Sequence, residues 1–386
     1  MIAAGIHGAS MRSYAIVSGD FVRTGGMDRA NFGLAEFLAR AGARVHLVAH
    51  RVADDLAAYP NVTFHKVPKP LDRYALGAPL LASAGFAIAL SMAARRGAVV
   101  VNGGNCIVPA VNWVHYVHAA FEPHKAVGAR RAPVARHRIA VTTERLALRT
   151  ARVVITNSER TRRDVIDRVG VAEDRAHTVY LGIDASSFAL VGAEERAGAR
   201  RALGWGGDQP RVAFVGALGD RRKGFDVLYD AWRALCAKPS WDADLVVIGT
   251  GAELSVWRER AERDGIDSRV SFLGFRRDVP TILAASDAVV APSRYEPYGL
   301  GVHEALCRGL PALVAANAGV AERYPPSLRD FLLYDVESAA QVAAALERWR
   351  ASAPRMRADV VAFSDVLRSR SWDDMARQFV GLIEAA

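Results

Sequence analysis

Cysteine is scarce: Cys106, Cys236 and Cys307 are the three in 386 residues. They are odd in number and far apart, which fits neither a disulfide framework nor a zinc site. A reducing cytoplasm is the compartment this implies. No low-complexity tract occurs, so a fibrous or disordered chain is excluded. Met1 to Ser10 lacks a basic stretch followed by an apolar core and does not read as a signal peptide. Met11, directly before the first strand, is an alternative start. There is no G-x-S-x-G elbow and no metal-ligand spacing. Long uncharged runs are also few. The one that stands out is Tyr74 to Ala94, 21 residues between Arg73 and the pair Arg95 and Arg96. Its length suits a membrane span, but it is rich in Ala, Gly and Ser and contains Pro79. A buried or surface-lying helix is the expectation.

What is present is ample apolar material, 51% of the chain, and a length that suggests two α/β domains. The net charge of +9 is uneven. Residues 1–205 hold 27 Lys/Arg against 16 Asp/Glu, and residues 206–386 hold 23 against 25. The densest basic stretch contains Arg130, Arg131, Arg136, Arg138, Arg145, Arg149 and Arg152. It reads either as a solvated helix face or as a surface that meets something anionic, such as lipid headgroups or a phosphorylated acceptor. No basic motif interleaved with aromatics appears, so nucleic acid is not expected.

Along the chain, apolar strands alternate with helices. Strands are expected at 12–18, 44–49, 62–67, 98–101, 112–117, 152–156 and 178–180, with a helix over 30–41. The segment 203–210, with three glycines and Pro210, reads as a linker. The alternation then restarts, with strands at 211–215, 244–248, 270–273, 288–291 and 311–315. Helices separate them at 225–236, 254–264, 279–284 and 301–308. Such alternation implies parallel sheets, here two doubly wound domains with ligands bound in a cleft at the carboxyl ends of their strands. The closing amphipathic helix, 372–385, has no strand to follow and is expected to pack back on the first domain.

Four motifs carry chemistry. In Arg294-Tyr-Glu-Pro-Tyr-Gly-Leu-Gly-Val-His-Glu-Ala-Leu, Glu296 and Glu304 flank a glycine-bearing turn that opens a helix. Carboxylates grip diols, and helix N-termini favour anions. In Gly216-Ala-Leu-Gly-Asp-Arg-Arg-Lys-Gly-Phe, three cations, Arg221, Arg222 and Lys223, stand where a strand hands over to a helix and suit a pyrophosphate. Gly25-Gly26 allows backbone to approach phosphate or sugar closely. In Asn112-Trp-Val-His-Tyr-Val-His, His118 is nearest the strand's carboxyl end and the better ligand-facing candidate; the other histidine is expected to be structural. Two patterns are set aside. Asp242-Ala-Asp244 matches a metal-binding D-x-D, but precedes a strand at the wrong end of a sheet. Gly249-Thr-Gly251 lacks the third glycine of a dinucleotide fingerprint, since Leu254 stands there.

Taken together, these residues resemble glycosyltransferase family 4, retaining enzymes of the GT-B fold. The resemblance runs over nearly the whole chain. It is carried by the Gly25-Gly26 loop, His118, Val154-Ile-Thr-Asn-Ser158, Leu181-Gly-Ile-Asp184 with Phe188, Lys223-Gly224, Leu273-Gly274-Phe275, the Glu296/Glu304 pair and Ser371-Trp372, in the family's order. It implies an acceptor-side Rossmann-like domain over 1–205, a nucleotide-sugar donor domain over 206–369, and a helix at 370–386 returning to the first domain. Its roles carry over by position. Lys223 would hold the donor diphosphate with Arg221 or Arg222, Glu304 the ribose diol, and Glu296 the sugar hydroxyls. Tyr298, Gly299 and Leu300 would lie along the donor. Backbone at Gly274 and Phe275 would face the base, with Gly25, Gly26 and His118 on the phosphate and sugar. His118, Lys223 and Glu296 are the expected catalytic residues.

The resemblance further implies a metal-independent hexosyltransferase with no cofactor beyond its nucleotide-diphosphate-sugar co-substrate. The acceptor would be a sugar, lipid-linked or small, as in glycan, glycolipid or polysaccharide synthesis. The cysteines imply a cytoplasmic enzyme, and the basic N-terminal half leads to the expectation that it is peripheral on an anionic inner membrane face. One departure is Ala217, which stands where the family has an arginine that pairs with the lysine. A non-catalytic nucleotide-sugar binding protein and a non-hydrolysing epimerase are the alternatives on the same fold. A nicotinamide-dependent dehydrogenase is disfavoured by the broken glycine fingerprint.

Overall fold

The computed structural model describes residues 12–122, 134–219 and 221–385. Arg130 and Arg131 of the basic stretch, and the alternative start at Met11, lie outside them. The described chain forms two compact α/β units.

The first unit opens with β1 (Ser13–Val17), β2 (Asp20–Phe21), α1 (Gly26–Arg40), β3 (Arg44–Ala49) and β4 (Arg51–Val52). It continues through α2 (Asp54–Ala57), β5 (Val62–Lys66), α3 (Tyr74–Ala94), β6 (Ala98–Asn102) and β7 (Val111–Val114). Then come α4 (Val134–Thr150), β8 (Val153–Thr156), α5 (Glu159–Asp164) and β9 (Ala176–Thr178). Seven strands make one parallel sheet in the order β5-β3-β1-β6-β7-β8-β9. A parallel sheet is covered by helices on both faces, so its strands are continuous apolar runs rather than alternating ones. Tyr14 to Val17 are accordingly all buried.

The second unit holds α6 (Ala193–Ala202), β10 (Arg211–Val215), α7 (Phe225–Cys236), β11 (Asp244–Ile248), α8 (Leu254–Arg263) and β12 (Val270–Gly274). It closes with α9 (Val279–Ala285), β13 (Ala288–Ala291), α10 (Leu300–Cys307), β14 (Ala312–Ala315), β15 (Leu332–Leu333) and α11 (Ala339–Arg368). Its six strands are parallel in the order β12-β11-β10-β13-β14-β15. On α7, Phe225, Leu228, Tyr229, Trp232 and Leu235 recur at helical spacing and are buried on the core side.

The chain crosses between units at Gly182/Ile183, not at the 203–210 linker. The physical reason is α6. Its Arg196 donates to Asp287 (2.6 Å) and to the Ser286 carbonyl (2.6 Å), and Arg200 donates to the Gly207 and Gln209 carbonyls. These bonds tie both the helix and the glycine-rich turn after it to the second unit.

The last helix, α12 (Trp372–Ala385), belongs to the first unit. It starts with a reciprocal cap: the Asp374 amide donates to Ser371 Oγ (3.1 Å), and the Ser371 amide donates to Asp374 Oδ2 (2.8 Å). Its buried stripe, Met375, Ala376, Phe379 and Ile383, packs toward α1 and the sheet. The Phe379 and Trp113 ring centroids are 4.6 Å apart.

Candidate functional site

In the second unit, successive strands leave β10 in opposite directions across the sheet, β11 and β12 to one side and β13 to β15 to the other. The carboxyl ends of β10 and β13 are therefore the topological switch point, where the following loops diverge and leave a crevice. The loop after β10 carries Arg221, Arg222 and Lys223, and the loop after β13 carries Arg294 to Gly299.

These two loops are locked to one another. The Arg294 amide donates to the Arg222 carbonyl (2.8 Å), and the Arg294 guanidinium donates to the Arg221 carbonyl (2.6 Å). The Arg222 guanidinium donates to the Tyr295 carbonyl (3.2 Å). Arg294 also forks onto Asp226 (2.8 and 2.9 Å) and Glu337 (2.7 and 2.9 Å). Burial pushes the Asp226 carboxyl up, but the Arg294 guanidinium outweighs it and holds it below the usual range. Gly224 is required between the loops: its φ is +70°, and a Cβ there would lie 2.0 Å from the Pro292 carbonyl oxygen.

Across this junction Lys223 Nζ meets Glu296 Oε2 at 2.5 Å. The chain then turns at Gly299 (φ +99°) into α10. The first turn of α10, with Lys223, Ser293 and Glu296, lines a pocket of about 70 Å³. Glu304 lies one helical turn further along, half-buried. A cation, a carboxylate and a helix N-terminus thus share one crevice, with Glu304 a turn beyond its lining. The cation and the helix amides suit a phosphate, and the carboxylates suit hydroxyls. Lys223 and Glu296 neutralise one another across the junction.

Other residues singled out from sequence fall as follows. Tyr298 does not present its side chain to the crevice. It is 2% exposed, and its hydroxyl bonds to His303 Nδ1 at 2.6 Å. The aromatic ring is drawn into the core with the rest of the residue. His303, also buried, is pushed down to about 3 by burial and is neutral. Ala217 is exposed on the loop after β10, while Arg221 lies 3.8 Å from Asp226. Gly274 (φ +68°) ends β12, two strands from β10, with Phe275 exposed after it. Gly249 and Gly251 have a packing reason, since Cβ atoms there would lie 1.9 Å and 1.6 Å from the Gly216 and Leu218 carbonyl oxygens. Asp242 pairs with Arg350, and Asp244 with Arg211 and Arg269. Both aspartates sit at or just before the start of β11 rather than at its carboxyl end.

Gly25, Gly26 and His118 belong to the first unit. Gly25 has φ +84° and caps α1, which Gly26 opens. In the first turn of α1, Asp28 is pushed up to about 6 by burial and by neighbouring Asp20. β7 ends at Val114, three residues short of the expected strand, so neither histidine stands on it. The His115 ring packs against Trp113, centroids 4.4 Å apart, with both its nitrogens out of solvent, and that burial pushes it down to about 3. His118 instead opens a single 3₁₀ turn, half-buried.

That turn is held by a residue sequence reasoning missed. Glu144 of α4, 1% exposed, accepts from the amides of His118 (2.9 Å) and Ala119 (3.2 Å). Burial pushes its carboxyl up to about 7, against the pull of those two bonds. The available signal was its place in the apolar stripe of α4, with Ala147, Leu148 and Ala151 at helical spacing beyond it.

Comparison with known proteins adds the following. A family model described as Glycosyltransferase Family 4 matches residues 24–187, and one described as Glycosyl transferases group 1 matches residues 209–351. An uncharacterized glycosyltransferase of Methanocaldococcus jannaschii is 29% identical over 241 residues, 60% of this chain and 60% of that protein. The D-inositol 3-phosphate glycosyltransferase of Corynebacterium aurimucosum is 30% identical over 281 residues, 70% of this chain and 65% of that protein. The chain thus spans less than two thirds of the length of either curated relative. Among solved structures, Anabaena HepE in complex with UDP-glucose superposes with a TM-score of 0.72 at 18% identity, covering 97% of this chain and 100% of that one. The two family models lie end to end over most of the sequence, on a fold of two Rossmann-like units: the chain belongs with the family 4-like glycosyltransferases of GT-B fold.

Proposed function

We propose that this chain transfers a hexosyl unit from a nucleoside-diphosphate sugar to an acceptor hydroxyl, with retention at the anomeric carbon and without a metal. The observation that carries the reading is the Lys223–Glu296 pair at the switch point, beside the N-terminus of α10. A donor diphosphate would take Lys223 away from Glu296, with Arg221 or Arg222 assisting. That exchange frees the Glu296 carboxylate for sugar hydroxyls, and Glu304 would bind the ribose diol. Backbone at Gly274 and Phe275 would meet the base. From the first unit, His118 and the backbone near Gly26 would serve the sugar and phosphate.

In this scheme the bond from C1 to the diphosphate oxygen breaks first, leaving an oxocarbenium-like sugar and a developing anion. The acceptor oxygen bonds to C1 from the same face, and its proton passes to the departing phosphate oxygen. The products are the glycoside and the nucleoside diphosphate. The protein's task is to stabilise the leaving anion, for which a fixed ammonium and helix amides suffice. HepE, solved with UDP-glucose, makes a nucleotide sugar the natural donor class to try. The basic first unit supports an anionic or lipid-linked acceptor, met at the cytoplasmic face of a membrane.

The test is a panel of UDP-, GDP- and ADP-sugars, with nucleotide release and thermal shift measured for wild type, Lys223→Ala and Glu296→Ala. One donor should stabilise the wild type and be slowly hydrolysed, and both substitutions should abolish this. A donor that stabilises but is never turned over, with any acceptor, would replace the transferase by a binding protein, the reading that Ala217 favours.

A further inference from the structure

We propose that the outward face of α3 is a lipid-docking surface that lays the first unit on an anionic bilayer. This deepens, and rests on, the reading that the first unit meets an anionic surface. It is independent of the transfer chemistry.

α3 is 21 residues without a charge, yet it has two distinct sides. Gly77, Leu81, Gly85 and Met92 face inward and are buried. The small residues matter here: a Cβ on Gly85 would lie 2.9 Å from Val17 and 3.2 Å from Cys106, and one on Gly77 would lie 2.7 Å from the His50 ring. The helix is therefore seated in the core of the sheet and cannot leave it to span a membrane without exposing β1. On the other side, Leu76, Leu80, Phe86 and Leu90 are between 42% and 59% exposed. Positions 76, 80, 83, 87, 90 and 94 follow helical spacing and hold only Leu, Ser and Ala, with Phe86 beside them. Contiguous apolar patches of this kind are uncommon on soluble monomers and mark interaction sites.

The surroundings identify the occupant. Arg73, Arg95 and Arg96 stand exposed at the two ends of α3. Asp72, next to Arg73, is paired with Lys69 at 2.9 Å. α4 shares the same face. The connections β5 to β6 and β7 to β8 run in the same direction across the sheet, so right-handed crossovers put α3 and α4 on one side. Both also approach the turn Gly103–Asn105: α3 packs on it, and Gly104 lies against Thr143 and Glu144. α4 exposes Arg136, Arg138, Arg145 and Arg149, with Ile139 and Leu146 between them. Its single carboxylate, Glu144, points inward. The outward surface of α4 is therefore cationic and apolar, with no acid on it.

Arginines beside exposed aliphatic side chains are the pattern of a helix lying in a headgroup layer, apolar side chains at the acyl boundary and guanidinium groups on lipid phosphates. A second copy docking through this same patch would bury two sets of arginines in one interface with no acid of α3 or α4 exposed to pair with them.

The experiment is flotation of the full chain with vesicles of phosphatidylcholine alone and of phosphatidylcholine mixed with phosphatidylglycerol, at low and high salt. Phe86→Ser/Leu90→Ser removes two exposed side chains, and Arg138→Gln/Arg145→Gln removes two charges. Circular dichroism and donor hydrolysis should match wild type for both. Wild type should float with the mixed vesicles. The α3 variant should partition at least about tenfold less, and the α4 variant about thirtyfold less at low salt with a shallower salt dependence. If wild type floats and the α3 variant floats equally, the docking face is refuted while the anionic-surface reading stands. If wild type floats with neither vesicle, both fail. If wild type instead dimerises and the α3 variant is monomeric, the face covers a second copy, and the lipid assignment is overturned.

Discussion

Glu144 gives the chain a pH dependence of unusual sign. Its carboxyl is buried in the first unit and pushed up to about 7 from an ordinary 4.5. Between those two values the unfolded chain has released this proton and the folded chain still holds it. The folded state binds more protons there, so stability falls as pH rises through the window and levels off above about 7. Carboxylates held low, such as Asp184 and Asp374 at about 2, act oppositely and cost stability only as pH falls toward their folded values. At 1.36 kcal/mol per pH unit, ionising Glu144 costs the fold about 3 kcal/mol. Glu144→Gln keeps an acceptor oxygen and cannot ionise. The stability of the glutamine variant minus that of wild type should therefore rise by about 3 kcal/mol between pH 4.5 and pH 8. Urea unfolding followed by tryptophan fluorescence at a series of pH values measures it, and taking the difference cancels the other titrating groups. A difference constant across that range would refute the burial argument. If His118 serves the sugar, the variant should also loosen its turn and raise KM for the donor more than it lowers kcat.

Three further outcomes follow from the second unit. Gly224→Ala forces a side chain into a left-handed turn against the Pro292 carbonyl; it should destabilise the chain by about 1–3 kcal/mol in thermal unfolding and weaken donor binding by displacing Lys223. Arg294→Ala strips the half-buried Asp226 of its bidentate partner and should cost about 3 kcal/mol or more, with donor KM raised because the loop bearing Glu296 loses its anchor. Asp242→Asn breaks only an exposed pair with Arg350; it should change stability by about 0–1 kcal/mol and leave turnover unchanged, with or without a chelator. Loss of activity in that variant would revive the metal reading of Asp242-Ala-Asp244.

Much of the fold was legible because parallel strands covered on both faces are plain apolar runs. β10 to β14 fell within a residue or two of their expected positions, and their alternation with helices dictated a switch point at β10 and β13. Lys223, Glu296 and Glu304 could be placed there because turn glycines and a helix start are written in the residues around them. What escaped was set by tertiary contact. Nothing local marks where β7 stops, and Tyr298 reads as a ligand-facing aromatic until His303 is seen beneath it. The unit boundary hid in the bonds of α6 to Asp287, and Glu144 required knowing which α4 residues face the His118 turn. α3 has no charged residue to mark its faces, so its sidedness appeared only from the packing of its two glycines.

The most direct test of the central claim is calorimetric titration of a nucleoside diphosphate, and of its nucleoside, into wild type and Lys223→Ala. If the ammonium now paired with Glu296 is the diphosphate's partner, the substitution should weaken diphosphate binding by at least about tenfold and leave the nucleoside unaffected. Equal diphosphate affinity in the two proteins would contradict the assignment of this crevice as the donor site.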